Sequence, residues 1–212
     1  MQKVLNTTFE ADVLSDPNVS LVGSYLYDAL NPLSGDRSLR MSTDPSEEPF
    51  YFWFWRYNLP LMAGIVRLEA TAAMNNNMRS FGVGWRIIKN NMLAIMFVRI
   101  NYATNCIELV QNTEPHIWQT ISSPVPMSLR SNNPLRPFRF SLDVDVDTLR
   151  YKRVEVHDFL CRTLPNSFAY DLDIPNTPTA FPSIDSMTVK INPQGENGLI
   201  GTTWMDEVTV WN

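Results

Sequence analysis

Hydrophobic and polar residues alternate with a period of two through FRFSLDVD. Phe138, Phe140, Leu142 and Val144 interleave with Arg139, Ser141, Asp143 and Asp145, the pattern of a strand that buries one face. After a short connection the alternation resumes, with Val154 and Val156 on one side and Tyr151, Arg153, Glu155 and His157 on the other. Together the two runs predict an antiparallel hairpin with one oily and one wet face. Similar strand-length runs occupy residues 7–13, 21–27, 38–43, 50–57, 65–74, 79–88, 93–101, 106–111, 187–191 and 205–211. None has helix length with helical spacing and caps. Turn signals separate them: Asp16-Pro17, Asn31-Pro32, Ser34-Gly35-Asp36, Lys89-Asn90-Asn91 and Pro193-Gln194-Gly195. The longest stretches without a strand pattern, 113–136 and 161–186, are expected to be loops that cover an edge, pack on the sheets or border a site.

Such an inventory belongs to an all-β sandwich, and 212 residues fit one such domain spanning 1–212. The 44% hydrophobic share and 18% charged share suit a chain with a sizeable core. A formal net charge of −5 without a dense Lys/Arg run argues against nucleic acid as partner. No run approaches the ~20 apolar residues of a membrane helix, and the N-terminus lacks the apolar core of a signal peptide, so a soluble chain with no membrane partner is expected. Its compartment stays open. Two cysteines, Cys106 and Cys161, exclude a disulfide scaffold, and two buried thiols are the expected state. Asn6-Thr7-Thr8 and Asn18-Val19-Ser20 match the glycosylation sequon without diagnostic weight.

The order of several motifs carries a resemblance. Phe9-Glu10 opens the chain, Ser38-Leu-Arg-Met41 follows, then the 138–158 hairpin, and Met205-Asp-Glu-Val-Thr-Val210 closes it. This order resembles the concanavalin A-like lectin/glucanase jelly roll, in particular laminin-G-like modules of bacterial type. The resemblance implies two packed antiparallel sheets, one curved into a shallow concave face. It also implies pairing of the first and last strands, and an acidic pair near the last strand that anchors a turn.

Candidate chemistry centres on Pro49-Phe-Tyr-Phe-Trp-Phe-Trp-Arg-Tyr57. With Phe50, Phe52 and Phe54 toward the core, Tyr51, Trp53, Trp55 and Tyr57 share the other face, a strip of flat rings with polar edges suited to the apolar faces of sugars. The opposite register, or cover by a loop or a second copy, would make the same strip core or an oligomer interface. Arg86, Trp118, Arg153, Glu155 and His157 are added as stacking or hydrogen-bonding partners. Trp85 alternates with Val83 and Ile87 and is expected in the core, whereas His116 and Trp118 lie in a proline-bounded segment.

With only His116 and His157 and no Cys/His spacing, no zinc site is expected, and no serine elbow accompanies either histidine. Asp143, Asp145 and Asp147 do not make a calcium loop, because Thr148 and Val154 stand where Gly and Glu would be needed. They are read as wet-face residues near Arg139 and Arg153. A calcium site built from loop carbonyls, as in some laminin-G-like modules, has no linear signature, and no other cofactor is expected. The glycosidase requirement of two carboxyls on one face has no compact motif among Glu69, Glu108 and Glu155. The leading expectation is therefore a non-catalytic carbohydrate-binding domain, with a glycan or polysaccharide as partner. The alternatives are a polysaccharide hydrolase or lyase using Glu155, Asp143 or Glu69, and a structural or protein-binding module.

Overall fold

The computed structural model describes residues 1–9, 16–22, 24–30, 33, 35–42, 54–122, 136–159, 167–196 and 198–212, with side chains left out at 20–22, 24 and 54–56. In chain order the strands are β1 (Lys3–Thr7), β2 (Val19–Val22), β3 (Ser24–Asp28), β4 (Ser38–Ser42), β5 (Phe54–Leu59), β6 (Ile65–Met74), β7 (Met78–Lys89) and β8 (Met92–Asn101). They continue with β9 (Cys106–Asn112), β10 (Ile117–Thr120), β11 (Phe138–Asp145), β12 (Arg150–Asp158), β13 (Ser167–Pro175), β14 (Thr179–Ala180), β15 (Ser186–Gly195) and β16 (Thr202–Trp211).

The first sheet runs β13-β12-β11-β6-β16-β4-β3, with β1 also paired to β16; the second runs β10-β9-β8-β7-β15-β5-β2, with β14 paired to β8. All these pairings are antiparallel. The protein is an all-β jelly-roll sandwich. First and last strands pair as the resemblance implied, through Asn6 with Thr209 and Thr7 with Val208.

Alternation explains why two sheets stack. On β11 and β6, Phe138, Phe140, Leu142, Val144, Val66, Leu68, Ala70 and Ala72 are buried, and across the sandwich Phe81, Val83, Trp85, Ile87, Met96, Val98, Val189 and Ile191 meet them. Burial removes this apolar area from water, worth roughly 25 cal/mol per Å². Phe81 and Phe138 join the halves edge to face at 5.3 Å between ring centroids.

The fully buried Tyr151 ties the sheets by hydrogen bonds as well. Its hydroxyl donates to the Val110 carbonyl at 2.7 Å and accepts from the Phe97 amide at 2.9 Å. Burial pushes this phenol's pKa far up, so it stays a donor. Beside it the Asn176 amide donates to the carbonyls of Ile95 at 3.1 Å and Val110 at 3.0 Å.

Three departures from the sequence pattern have physical causes. Tyr151 faces the core, opposite Val144, because bulges between Asp143 and Val144 and between Tyr151 and Arg153 shift the alternation there. The 113–136 and 161–186 segments contain β10, β13 and β14. β10 and β14 are short, four and two residues, whereas β13 is an edge strand that does alternate, with Phe168, Tyr170, Leu172 and Ile174 packed on the core and Ala169, Asp171 and Asp173 exposed. Pro193-Gln194-Gly195 is strand, because pairing with β7 carries β15 on through Pro193 opposite Phe81 and Gln194 opposite Ser80. Of the two cysteines, Cys106 is a buried free thiol and Cys161 lies outside the described residues.

Candidate functional site

The outer face of the second sheet carries a groove of about 360 Å³ lined by side chains from β7, β8, β9, β10 and β15. The alternation that buries Phe81, Val83 and Trp85 puts Ser80, Gly82, Gly84 and Arg86 on the outer side of β7. On β8 the outer residues are Ile95, Phe97 and Arg99, and on β15 they are Lys190, Asn192 and Gln194.

Gly82 and Gly84 let Phe97 lie flat on the sheet. A Cβ at Gly82 would stand 2.3 Å from Phe97 Cε1, and one at Gly84 would stand 2.4 Å from the Met96 carbonyl oxygen and 2.5 Å from Phe97 Cδ2. Only glycine leaves that space. Phe97 in turn meets Trp118 edge to face at 6.4 Å. The Arg99 guanidinium packs over the indole of Trp118, 3.7 Å from its ring centroid. Glu108 fixes that guanidinium, accepting from Arg99 Nε at 2.8 Å, while its other oxygen accepts from Asn101 at 3.0 Å.

Opposite this aromatic wall lies a polar side. Ser80 Oγ donates to Gln194 Oε1 at 3.3 Å, and Lys190, Asn192 and His116 complete the lining. A second hollow of about 450 Å³ adjoins, sharing Ile95, His116 and Lys190 and adding Arg86, Leu93, Thr113 and Glu114. The Arg86 guanidinium sits 5.1 Å from the Phe181 ring centroid.

The structure brings together only part of the set expected from sequence. Arg86 and Trp118 line this face. Tyr51 and Trp53 lie outside the described residues, as does the side chain of Trp55, whose backbone pairs with Ile191. Tyr57 is opposite Val189, packs on the core and donates its hydroxyl to Asp16 at 2.9 Å. For Tyr57 the open face expected from sequence is not found, because pairing with β15 puts it on the same side as buried Val189, and a one-residue change of phase exchanges the two faces of a strand. Burial, then the bond to Asp16, raises the Tyr57 pKa.

Arg153, Glu155 and His157 belong to the other sheet. They cannot add donors to a site containing Arg86 and Trp118, because β12 presents them on the far side of the sandwich. There they form an ion lattice. Arg67 stands 3.0 Å from Asp143, 3.5 Å from Glu69 and 3.5 Å from Glu155, and Arg153 stands 3.7 Å from Glu155 and pairs with Asp171. His157 packs against Phe159 at 5.0 Å.

The hairpin aspartates are more than wet-face residues. Asp145 accepts from the amides of Asp147 at 2.9 Å and Thr148 at 3.2 Å, and Asp147 from Lys89 at 2.7 Å and the Gly64 amide at 2.8 Å. These bonds build the turn and tie it to neighbouring strands. Asp143 is 8% exposed.

Burial raises the Asp143 pKa above the ordinary 3.8, with Glu69 and Glu155 adding to the rise and Arg67 and Arg153 opposing it. Arg150 and Lys152 hold Asp173 down at about 2. The two act oppositely on stability. Asp173, with its depressed pKa, contributes above pH 3.8 and loses that contribution as pH falls toward 2; Asp143, raised, favours the fold below 3.8 and loses that contribution as pH rises through its folded value. A carboxyl-detected NMR titration should find Asp173 titrating near 2 and Asp143 above 3.8. Asp143 titrating at or below the ordinary value would mean that Arg67 outweighs burial.

Among the described residues no group of three or more His, Cys, Asp or Glu side chains is placed to hold a metal ion. Nor is any helix long and apolar enough to cross a membrane. Sequence reasoning missed Phe97, Ser80, Lys190, Asn192 and Gln194. The available signal was Gly82-Val-Gly84 inside a strand, where paired glycines mark close approach by another group.

No family model matches the sequence, and no curated protein matches it. Similarity is found among solved structures. The PL-14 alginate lyase from Aplysia kurodai superposes with a TM-score of 0.65 at 9% identity, covering 100% of both chains. The lectin UEA-II complexed with galactose gives 0.59 at 10% identity, covering 99% of this chain and 98% of the lectin. The endo-β-1,4-glucuronan lyase from the fungus Trichoderma reesei gives 0.58 at 11% identity, covering 99% and 95%. At these identities the likeness is one of fold: this chain has the jelly-roll sandwich found in lectins and polysaccharide lyases alike.

Proposed function

We propose that the chain is a non-catalytic carbohydrate-binding domain, one jelly-roll unit in the manner of a laminin-G-like module of bacterial type, holding a glycan in the groove beside Trp118. One observation carries this reading. The groove is two-sided, with Ile95, Phe97, Val110 and Trp118 on one flank and Ser80, Lys190, Asn192 and Gln194 on the other. A sugar ring is two-sided in the same way, with C–H groups on its faces and hydroxyls around its edge. Rings held by packing stack with little entropy to lose, and the serine, amide and ammonium groups offer the donors and acceptors a hydroxyl rim requires. The fold's occurrence in a galactose-complexed lectin supports the reading by analogy.

Calorimetry against a glycan panel tests it. Trp118→Ala is expected to weaken binding by roughly tenfold or more, since loss of a stacking aromatic costs about 1–3 kcal/mol. Arg153→Ala, on the opposite face, should leave binding unchanged. Binding to no glycan, or binding indifferent to Trp118, ends the proposal.

A polysaccharide lyase is the second reading, favoured by His116 and Lys190 lining the junction of the two hollows, where a base and a cation could face one sugar. Glu69, Asp143 and Glu155 offer less to a hydrolase, because all three are engaged around Arg67 on the other sheet. Appearance of ultraviolet-absorbing unsaturated products, lost in His116→Ala, would replace the first reading by the second.

A further inference from the structure

Resting on the carbohydrate-binding reading, we infer that the ligand of this groove is an oligosaccharide chain of about three linked rings lying along β8, and not a single terminal sugar.

The two hollows are displaced from one another along the strands. On β8 the deeper one is lined by Ile95, Phe97 and Arg99, and the adjoining one by Leu93 and Ile95. Register carries the same rows across the sheet. Arg99 lies opposite Gly82 and Gly82 opposite Asn192; Phe97 lies opposite Gly84 and Gly84 opposite Lys190; Ile95 lies opposite Arg86. Successive outward residues on an antiparallel strand stand about 6.8 Å apart, so the three steps from Arg99 to Leu93 cover about 20 Å. Ile95, His116 and Lys190 line both hollows, so one space leads into the next.

A pyranose is much shorter than this trough. Six ring atoms joined by bonds of about 1.5 Å, with a linkage oxygen at each end, span roughly 5–6 Å. One sugar beside Trp118 leaves the Leu93 end unfilled, whereas about three linked rings reach from Arg99 to Leu93. Apolar surface recurs along that length. The Phe97 ring lies over Gly82 and Gly84 at one end, and Ile95 and Leu93 supply aliphatic surface at the other. Linkage between rings favours the longer ligand, because a ring tethered to one already bound meets its own subsite at high effective concentration. A terminal sugar fills one hollow; a chain fills both.

Cello-, galacto-, glucurono- and mannurono-oligosaccharides serve as probes, each series running from the monomer to the pentamer, with the intact protein in the calorimeter. In at least one series affinity is expected to rise about tenfold or more from monomer to trimer, the gain of one to two net hydrogen bonds, and to level off by the pentamer. A monomer that binds as tightly as its trimer overturns the chain inference and leaves carbohydrate binding standing. No binding by any member of any series overturns both. Methyl NMR then locates the chain. The trimer is expected to shift the Leu93 methyl signals together with those of Ile95 and Val110, which line the trough from its two ends. A trimer that binds and shifts Ile95 and Val110 but leaves Leu93 unmoved also overturns the inference, since the chain would then leave the groove in another direction.

Discussion

Replacing Tyr151 by alanine is expected to lower the free energy of unfolding by about 4 kcal/mol, the cost of removing a large buried aromatic and leaving a cavity. The phenylalanine variant, which keeps the ring, should still lose about 2 kcal/mol, because the buried Phe97 amide loses its hydroxyl partner and the Val110 carbonyl is left with the Asn176 amide. Tyr151 is fully buried on β12 of one sheet, while the groups it satisfies, the Phe97 amide and the Val110 carbonyl, belong to β8 and β9 of the other. Most of the sandwich is held by non-directional apolar burial, which tolerates small sliding of one sheet over the other. A hydroxyl bonded across the gap fixes the registry. Both Phe97 and Val110 line the groove, so the phenylalanine variant should also weaken glycan binding modestly. Urea unfolding at constant m-value measures the first effect and calorimetry the second. A phenylalanine variant as stable as the parent would show that the apolar contacts alone set the registry.

Adding one methyl group at Gly84 should be nearly as severe. Gly84→Ala is expected to cost about 2–3 kcal/mol through overpacking and to abolish binding in the groove. The new Cβ would meet the Met96 carbonyl and the Phe97 backbone and ring, all within 2.6 Å. A long flexible side chain can swing away from such a contact, but a paired strand cannot, so either the ladder between β7 and β8 opens or Phe97 is expelled. Expulsion removes the surface on which Trp118 leans. The two losses are separable. Ser80→Ala, on the same strand and the same face, should change stability little, and a Gly84→Ala protein with parental stability and parental glycan affinity would mean that Phe97 does not rest where the groove requires it.

Legibility in the sequence followed the strength of the alternation. β6 and β11 have the bounds their pattern gave, because each is central in its sheet and buries one face completely. β10 and β14, four and two residues long, are too short for a period to show. β13 does carry the signal, with Phe168, Tyr170, Leu172 and Ile174 toward the core between exposed Ala169, Asp171 and Asp173, so this edge strand is legible in a segment expected to be loop. The bulges in the β11–β12 hairpin could not be read at all: one extra residue turned Tyr151 from a member of the wet face into the keystone of the core. The candidate site was legible only in fragments. Trp118 and Arg86 stand out singly, as an aromatic and a cationic residue. Arg153, Glu155 and His157 resemble them only in residue type, and two sheets and a core lie between.

By itself the sequence determined the architecture: period-two burial, with apolar residues on every long strand, leaves an antiparallel sandwich as the way to hide those faces. It also determined the chemical types available, since 6 tryptophans, 2 histidines and a net charge of −5 are fixed by composition. Which of these residues meet was decided only by the tertiary structure. Pairing β5 with β15 set the phase that turns Tyr57 inward, and pairing β8 with β7 laid Phe97 over two glycines. Contacts between residues far apart in the chain depend on strand order and register, and a single residue of register exchanges the two faces of a strand; local periodicity contains neither.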